Sequence, residues 1–169
     1  MSKTAATVSL CLLLLTACSH RAPQSTGDYL LPSATQSSLE NRRVRVDLAN
    51  YLDQGGVVLQ LDAHRYHVAR QHRWAEPLAQ QLQRALAAAL LAQQWPDQHY
   101  PLAVTVSAFH GDQHGQAIIR AGWHYQQEGK VQRGTFEWIE PLAEDGYSAL
   151  VQTLDQGLQA LAETLATGR

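Results

Sequence analysis

The sequence predicts an α+β fold: a two-layer sandwich of order βββα-βββα, a mostly antiparallel sheet with two helices packed on one face. Three observations lead there. Short segments with period-two alternation come in two groups of three. Each group is followed by a stretch whose leucines recur every three or four residues. The second group is joined by turns too short for crossovers, which makes an antiparallel meander. Two amphipathic helices above one sheet form the simplest arrangement that buries all these apolar faces together.

The elements follow in order. Residues 43–48 alternate charged and aliphatic side chains, as a half-buried strand does. Asp53-Gln54-Gly55-Gly56 signals a turn. Residues 57–61 and 65–69 read as the second and third strands, joined through Asp62-Ala63-His64. Glu76-Pro77 opens the first helix, because proline lacks only an amide that has no partner there. Leu78, Leu82, Leu86 and Leu90 form its apolar stripe, Gln80, Gln81, Gln83 and Arg84 its polar face, and Trp95-Pro96-Asp97 its end. Strands follow at 101–109, 117–126 and 131–139, linked by the loop 111–115 and by Glu128-Gly129. Asp145 is the expected N-cap of the last helix. Tyr147, Leu150, Val151, Leu154, Leu158, Leu161 and Leu165 line one side of that helix.

The front of the chain is of another kind. Met1-Ser2-Lys3 precedes an uncharged run over 5–15. That run falls short of the ~20 residues that cross a bilayer, so it reads as a secretory signal peptide. It ends in Leu15-Thr16-Ala17-Cys18. These four residues resemble the lipobox of bacterial lipoproteins, in which the thiol is alkylated by diacylglycerol and cleavage makes the cysteine residue one. The organisation is therefore 1–17 signal peptide, 18–41 lipidated Cys18 and flexible tether, and 42–169 one domain. Ser19, where aspartate commonly retains such proteins in the inner membrane, points to the outer membrane. Loss of Lys3 with the leader leaves 12 basic and 15 acidic side chains, a net of −3. This balance excludes a polybasic nucleic-acid binder. With Cys11 also gone, no intrachain disulfide is possible.

Beyond the lipobox, Tyr29-Leu30-Leu31-Pro32, the block NYLDQGGVVLQ (50–60), RWAEPLAQQLQRAL (73–86) and YSALVQTLDQGLQALAETLA (147–166) resemble the ABC-type transport auxiliary lipoproteins of the PqiC-like (YmbA-like) family. The likeness runs over almost the whole chain in the right order, with Arg73-Trp74-Ala75-Glu76-Pro77-Leu78 as its most specific piece. It implies an accessory subunit of an intermembrane transport system. Such a subunit sits at the outer membrane facing the periplasm and docks a periplasm-spanning MCE-domain (PqiB-like) protein. The resemblance further implies a lipid cargo and assembly into homo-oligomeric rings; on the residues themselves, no cofactor and no enzymatic activity are expected.

The candidate partner-binding residues are Tyr29, Leu30, Leu31 and Trp74. Trp74 reads first as packing at a strand–helix junction, with docking as the alternative. The Tyr29-Leu30-Leu31-Pro32 island either adds an edge strand to its own sheet or pairs with a neighbouring subunit or the MCE partner. Eight histidines raise a second class of function, a periplasmic metal-binding or enzymatic lipoprotein. His64 and His67 would point to opposite faces of a strand. His110 and His114, with His124 nearby, could approach across a hairpin, but without a supporting shell they read as solvated. Glu137, Glu140, Glu144 and Asp145 read as a solvated strand end. The chain has no Gly-x-Ser-x-Gly elbow, phosphate loop or His-Glu-x-x-His. No metal or catalytic residue is assigned.

Overall fold

A computed structural model describes residues 27–35, 43–99 and 101–168. The signal peptide, the lipobox with Cys18, and tether residues 18–26 and 36–41 lie outside the described residues. The strands are β1 (Gly27–Tyr29), β2 (Val44–Leu48), β3 (Gly56–Gln60), β4 (Tyr66–Trp74), β5 (Leu102–Asp112), β6 (Gln116–Gln127) and β7 (Lys130–Pro141). The helices are α1 (Pro32–Thr35), α2 (Leu78–Ala92) and α3 (Tyr147–Thr167), with a 3-10 turn at Asp97–His99.

The expected βββα-βββα core is present as β2-β3-β4-α2 and β5-β6-β7-α3, preceded by β1 and α1. All seven strands form one sheet in the order β1-β4-β3-β5-β6-β7, with β2 also against β5. The long meander β5-β6-β7 and the pair β3/β4 are antiparallel. The sheet is nevertheless mixed. β1 joins β4 in parallel, and β2 and β3 share one side of β5, both parallel to it. β2 takes the first half of β5, from Val44 opposite Leu102 to Leu48 opposite Val106. β3 takes its end, with Leu59 opposite Gly111.

The core lies between the sheet and the two long helices. α2 buries Leu78, Leu82, Leu86 and Leu90, and α3 buries Leu150, Leu154, Leu158 and Leu161. Against them the sheet presents Val104, Val106, Phe109, Ile119 and Ala121. Close approach of α3 depends on Gly157, where a Cβ would stand 2.5 Å from Ile119 Cδ1 and 2.7 Å from Trp138 Cε3. Burial of this much aliphatic surface, worth ~25 cal/mol per Å², is what holds a domain with no disulfide together.

Several sequence expectations change. Residues 27–35, read as part of the tether, are fastened to the body by β1 and by side-chain hydrogen bonds. α3 starts after Gly146, whose φ of 116° favours glycine, and Asp145 makes no side-chain cap. Gln81 is buried in spite of lying on the expected polar face of α2. The third strand runs on to Trp74, because β1 gives residues 72–74 a partner.

Candidate functional site

The region that joins the body to the N-terminal part of the chain is built from β1, α1 and the two long helices. Tyr29 ends β1 opposite Trp74, and its carbonyl accepts from the Ala75 amide at 2.9 Å. Its hydroxyl lies 3.0 Å from His72 Nδ1. The His72 ring stacks on Tyr147, the first residue of α3, with centroids 3.8 Å apart. Burial, and then the neighbouring Tyr29, push the Tyr147 phenol above its ordinary pKa.

Two residues on, Leu31 is fully buried in the core. Its amide donates to Gln81 Oε1 at 2.9 Å, and Gln81 Nε2 in turn donates to the Glu76 carbonyl at 2.9 Å. A buried amide left without acceptors would cost ~1–3 kcal/mol, so Gln81 is a structural requirement of this crossing. Pro32 then starts α1, where its missing N–H costs nothing. The amide and hydroxyl of Ser33 both donate to Asp155 of α3, at 3.1 Å to Oδ1 and 2.7 Å to Oδ2. Gln159 Nε2 donates to the same hydroxyl at 2.7 Å. Arg84 pairs with Glu76 and reaches the Ala34 carbonyl. The segment is thus stapled to α2 through Gln81 and Arg84, and to α3 through Asp155 and Gln159.

The candidate partner-binding residues separate accordingly. Trp74 is buried, with its ring 6.1 Å from that of Phe109, and Leu31 is buried with it in the core. Tyr29 is half-buried and Leu30 exposed, so these two offer surface. Of the island only Tyr29 lies in β1, which pairs with the chain's own β4. Cys18 lies outside the described residues.

His110, His114 and His124 do not converge. His110 is fully buried in β5, whereas His114 lies in the exposed turn after it and His124 is exposed on β6. Among the described residues, no three His, Cys, Asp or Glu side chains stand close enough to hold a metal ion. A bulge between Val106 and Ala108 swings Phe109 into the core and turns His110 to the other face. There Tyr66 meets the imidazole edge-on at 5.3 Å and Tyr51 packs at a tilt against Tyr66 at 4.6 Å. Nδ1–H of His110 donates to the Gly111 carbonyl at 3.0 Å, and Nε2 has no partner. Burial pushes this imidazole below its ordinary pKa of 6.5. The Tyr51 hydroxyl donates to the Ser107 carbonyl at 2.8 Å. Burial, and then Tyr66, push its pKa up to about 12. Of the four carboxylates near the end of β7, Glu137 is ion-paired with Arg120 at 2.7 Å, and all four are exposed. A hollow of about 610 Å³ on the meander is lined by Thr105, Gly122, Trp123, His124, Arg133 and Thr135 among others.

Sequence reasoning missed Ser33, Gln81 and Asp155. The available signal was local: an acidic side chain between Leu154 and Leu158 interrupts the apolar side of α3, and Pro32 can begin a helical turn.

Comparison with known proteins agrees with this picture. The family model of the ABC-type transport auxiliary lipoprotein component matches residues 29–166, from the end of β1 almost to the end of α3. The intermembrane transport lipoprotein PqiC of Escherichia coli (strain K12) is 32% identical over 164 residues, covering 87% of each chain. PqiC of Shigella flexneri matches equally well. The crystal structure of an uncharacterized protein superposes with a TM-score of 0.74 at 29% identity, over 86% of this chain and 99% of the other. Protein XCC0632 from Xanthomonas campestris shares the fold, with a TM-score of 0.60 at 18% identity over 74% of this chain and 80% of its own. With the family model spanning all but the first two residues of β1 and the last of α3, this chain belongs to the ABC-type transport auxiliary lipoprotein family.

Proposed function

We propose that this protein is an outer-membrane lipoprotein, acylated at Cys18, that docks an MCE-domain (PqiB-like) protein of an intermembrane lipid transport system from the periplasmic side. Its work is positioning, without catalysis, and it acts as a homo-oligomer. The observation that carries the reading is the lipobox Leu15-Thr16-Ala17-Cys18, nine residues ahead of a segment stapled into both long helices. Family membership and the likeness to the intermembrane transport lipoprotein PqiC support the transport role. Acyl chains anchor firmly because each buried CH₂ contributes ~0.8 kcal/mol. Confinement to a membrane raises the effective concentration of the domain near a partner, so modest contacts suffice for docking. Tyr29 and Leu30 are the candidate contact residues that remain on the surface.

Fractionation and affinity capture test this directly. The intact protein is expected in the outer-membrane fraction, and captured from detergent-solubilised envelopes it should bring down an MCE-domain protein. Cys18→Ala should move it to the soluble fraction with its fold intact. Membrane retention of that variant would sink the anchoring, and capture without an MCE-domain protein would sink the docking.

A further inference from the structure

The meander turns one face to the helices, and its other face carries the exposed side chains Thr105, Arg120, His124, Arg133, Thr135 and Glu137. On that second face β6 presents Arg120, Gly122 and His124, because Ile119 and Ala121 point into the core. Thr105 of β5 and Thr135 of β7 stand in register on either side of Gly122. They flank the hollow of about 610 Å³, and Gly122 is its floor. A glycine in the middle of a 12-residue strand needs a reason, since it weakens the strand. Gly111 and Gly134, the other glycines of β5, β6 and β7, have one. A Cβ at Gly111 would press on Leu150 and Leu59, and one at Gly134 on the Trp123 ring. A Cβ at Gly122 would meet nothing nearer than the Gly134 carbonyl at 3.9 Å, and its φ is not positive. β6 also runs past this point without a bulge against β7. Neither packing nor backbone conformation within the chain calls for glycine here, and a bare strand position of this kind lets a ligand approach the backbone.

The walls of the hollow fix the chemistry of that ligand. His124 and Arg133 are directly opposite one another on β6 and β7, one row from the glycine. Cross-strand neighbours stand about 5 Å apart at Cβ, so both side chains reach one anionic group. The nearby carboxylates are already neutralised: Glu137 pairs with Arg120, and Asp47, level with Thr105 on β2, pairs with Arg45. Among the described residues Arg133 has no ion pair, and Thr105, Thr135 and His124 make no side-chain hydrogen bond. The two threonines lie two strand spacings apart, about 10 Å, which admits one six-membered sugar ring between them. Each hydroxyl donates and accepts, as the hydroxyls of a sugar do. An acyl chain would strip water from both threonines and offer them no partner. A bare inorganic anion would engage Arg133 and leave floor and walls unused.

We propose that this hollow binds an acidic sugar unit of a glycan. The ring lies flat on the Gly122 floor with its hydroxyls between Thr105 and Thr135, and its carboxylate is held by Arg133 with His124 beside it. A guanidinium makes two parallel N–H bonds to a carboxylate, which sets an acidic sugar apart from a neutral one. The inference goes beyond the proposed function and rests on neither acylation, docking nor assembly.

Ligand-observed NMR on the detergent-solubilised full chain tests this with two matched pairs of sugars. N-acetylmuramic acid is set against N-acetylglucosamine, from which it differs by one lactyl ether bearing the carboxylate, and glucuronic acid is set against glucose. The expected result is an acidic sugar that binds at least about tenfold tighter than its neutral counterpart. A preference within the first pair assigns the glycan to the cell wall, and one within the second to a uronic-acid polysaccharide. Gly122→Thr should fill the floor and abolish binding, while a better strand former raises Tm by about 2–3 °C. Arg133→Gln should weaken binding of the acidic sugar about tenfold and leave the neutral sugar and Tm unchanged. Failure of both acidic sugars to bind at millimolar concentration overturns the proposal. Equal binding of acidic and neutral sugars overturns it as well, and so does a Gly122→Thr chain that binds as tightly as wild type.

Discussion

Asp155→Ala removes the staple between α1 and α3, and its cost follows from the geometry. Asp155 is 8% exposed, and its two oxygens accept the Ser33 amide and hydroxyl. Hydrogen bonds to a charged group contribute ~1.5–3 kcal/mol each. The two share one donor residue and one acceptor group, so their loss is not additive. The new alanine returns roughly 0.5 kcal/mol of helix propensity. The expected net loss is about 2–3 kcal/mol. For a domain of this size that is about 6–9 °C in Tm, at roughly 3 °C per kcal/mol. Asp155→Asn keeps one neutral acceptor and should recover about half of the loss. Thermal unfolding by circular dichroism gives the Tm, and limited proteolysis shows whether cleavage begins near Ser33. A Tm within 1 °C of wild type, with unchanged proteolysis around α1, would refute the claim that Asp155 fastens this segment.

Leu154→Asp places a carboxylate at a fully buried position on α3, and should cost more than about 4 kcal/mol or abolish folding, read by urea denaturation. Gly157→Ala gains about 1 kcal/mol of helix propensity but meets the Trp138 ring. Overpacking at about 1–3 kcal/mol should win, and a raised Tm would show that α3 can shift away from the sheet. His110 resists protonation in the fold because it is buried. As pH falls below 6.5 the unfolded chain takes up the proton first, so this residue's contribution to stability declines until the native imidazole also titrates. Denaturant midpoints at pH 7.5 and 5 should therefore converge in His110→Phe relative to wild type, and an equal drop in both would assign the acid sensitivity to other groups.

Periodicity made the layers legible and left partners and directions open. Leu78, Leu82, Leu86 and Leu90 recur at helical spacing and are all buried, as are Leu150, Leu154 and Leu158. The meander was readable because its turns are short. Alternation in residues 43–48 and 57–61 marked strands but carried no information on which strand lies beside them. Both run parallel to β5, a pairing set by distant chain. The ordered segment around Ser33 was invisible for a related reason. It has little apolar surface, and its order comes from donors matched to Asp155 and Gln81, 122 and 50 residues away. His110 was misread as solvated because β5 runs on to Asp112 and the rings of Tyr66 and Tyr51, distant in sequence, cover the imidazole. At the candidate site, the island with Tyr29, Leu30 and Leu31 and the distant Trp74 were singled out separately; the fold sets Tyr29 opposite Trp74 and packs Leu31 and Trp74 inside.

The parallel pairing of β1 with β4 has a mechanical consequence. Tension applied at Gly27 along the strand axis would load the pairs Gly27–His72, Asp28–Arg73 and Tyr29–Trp74 together, in shear. An edge strand pulled from the side would instead open like a zip, one rung at a time. Whatever force passes these rungs next meets Leu31 wedged in the core and Ser33 moored to α3. A pull applied at Gly27 would therefore have to break these anchors together before the first strand was lost.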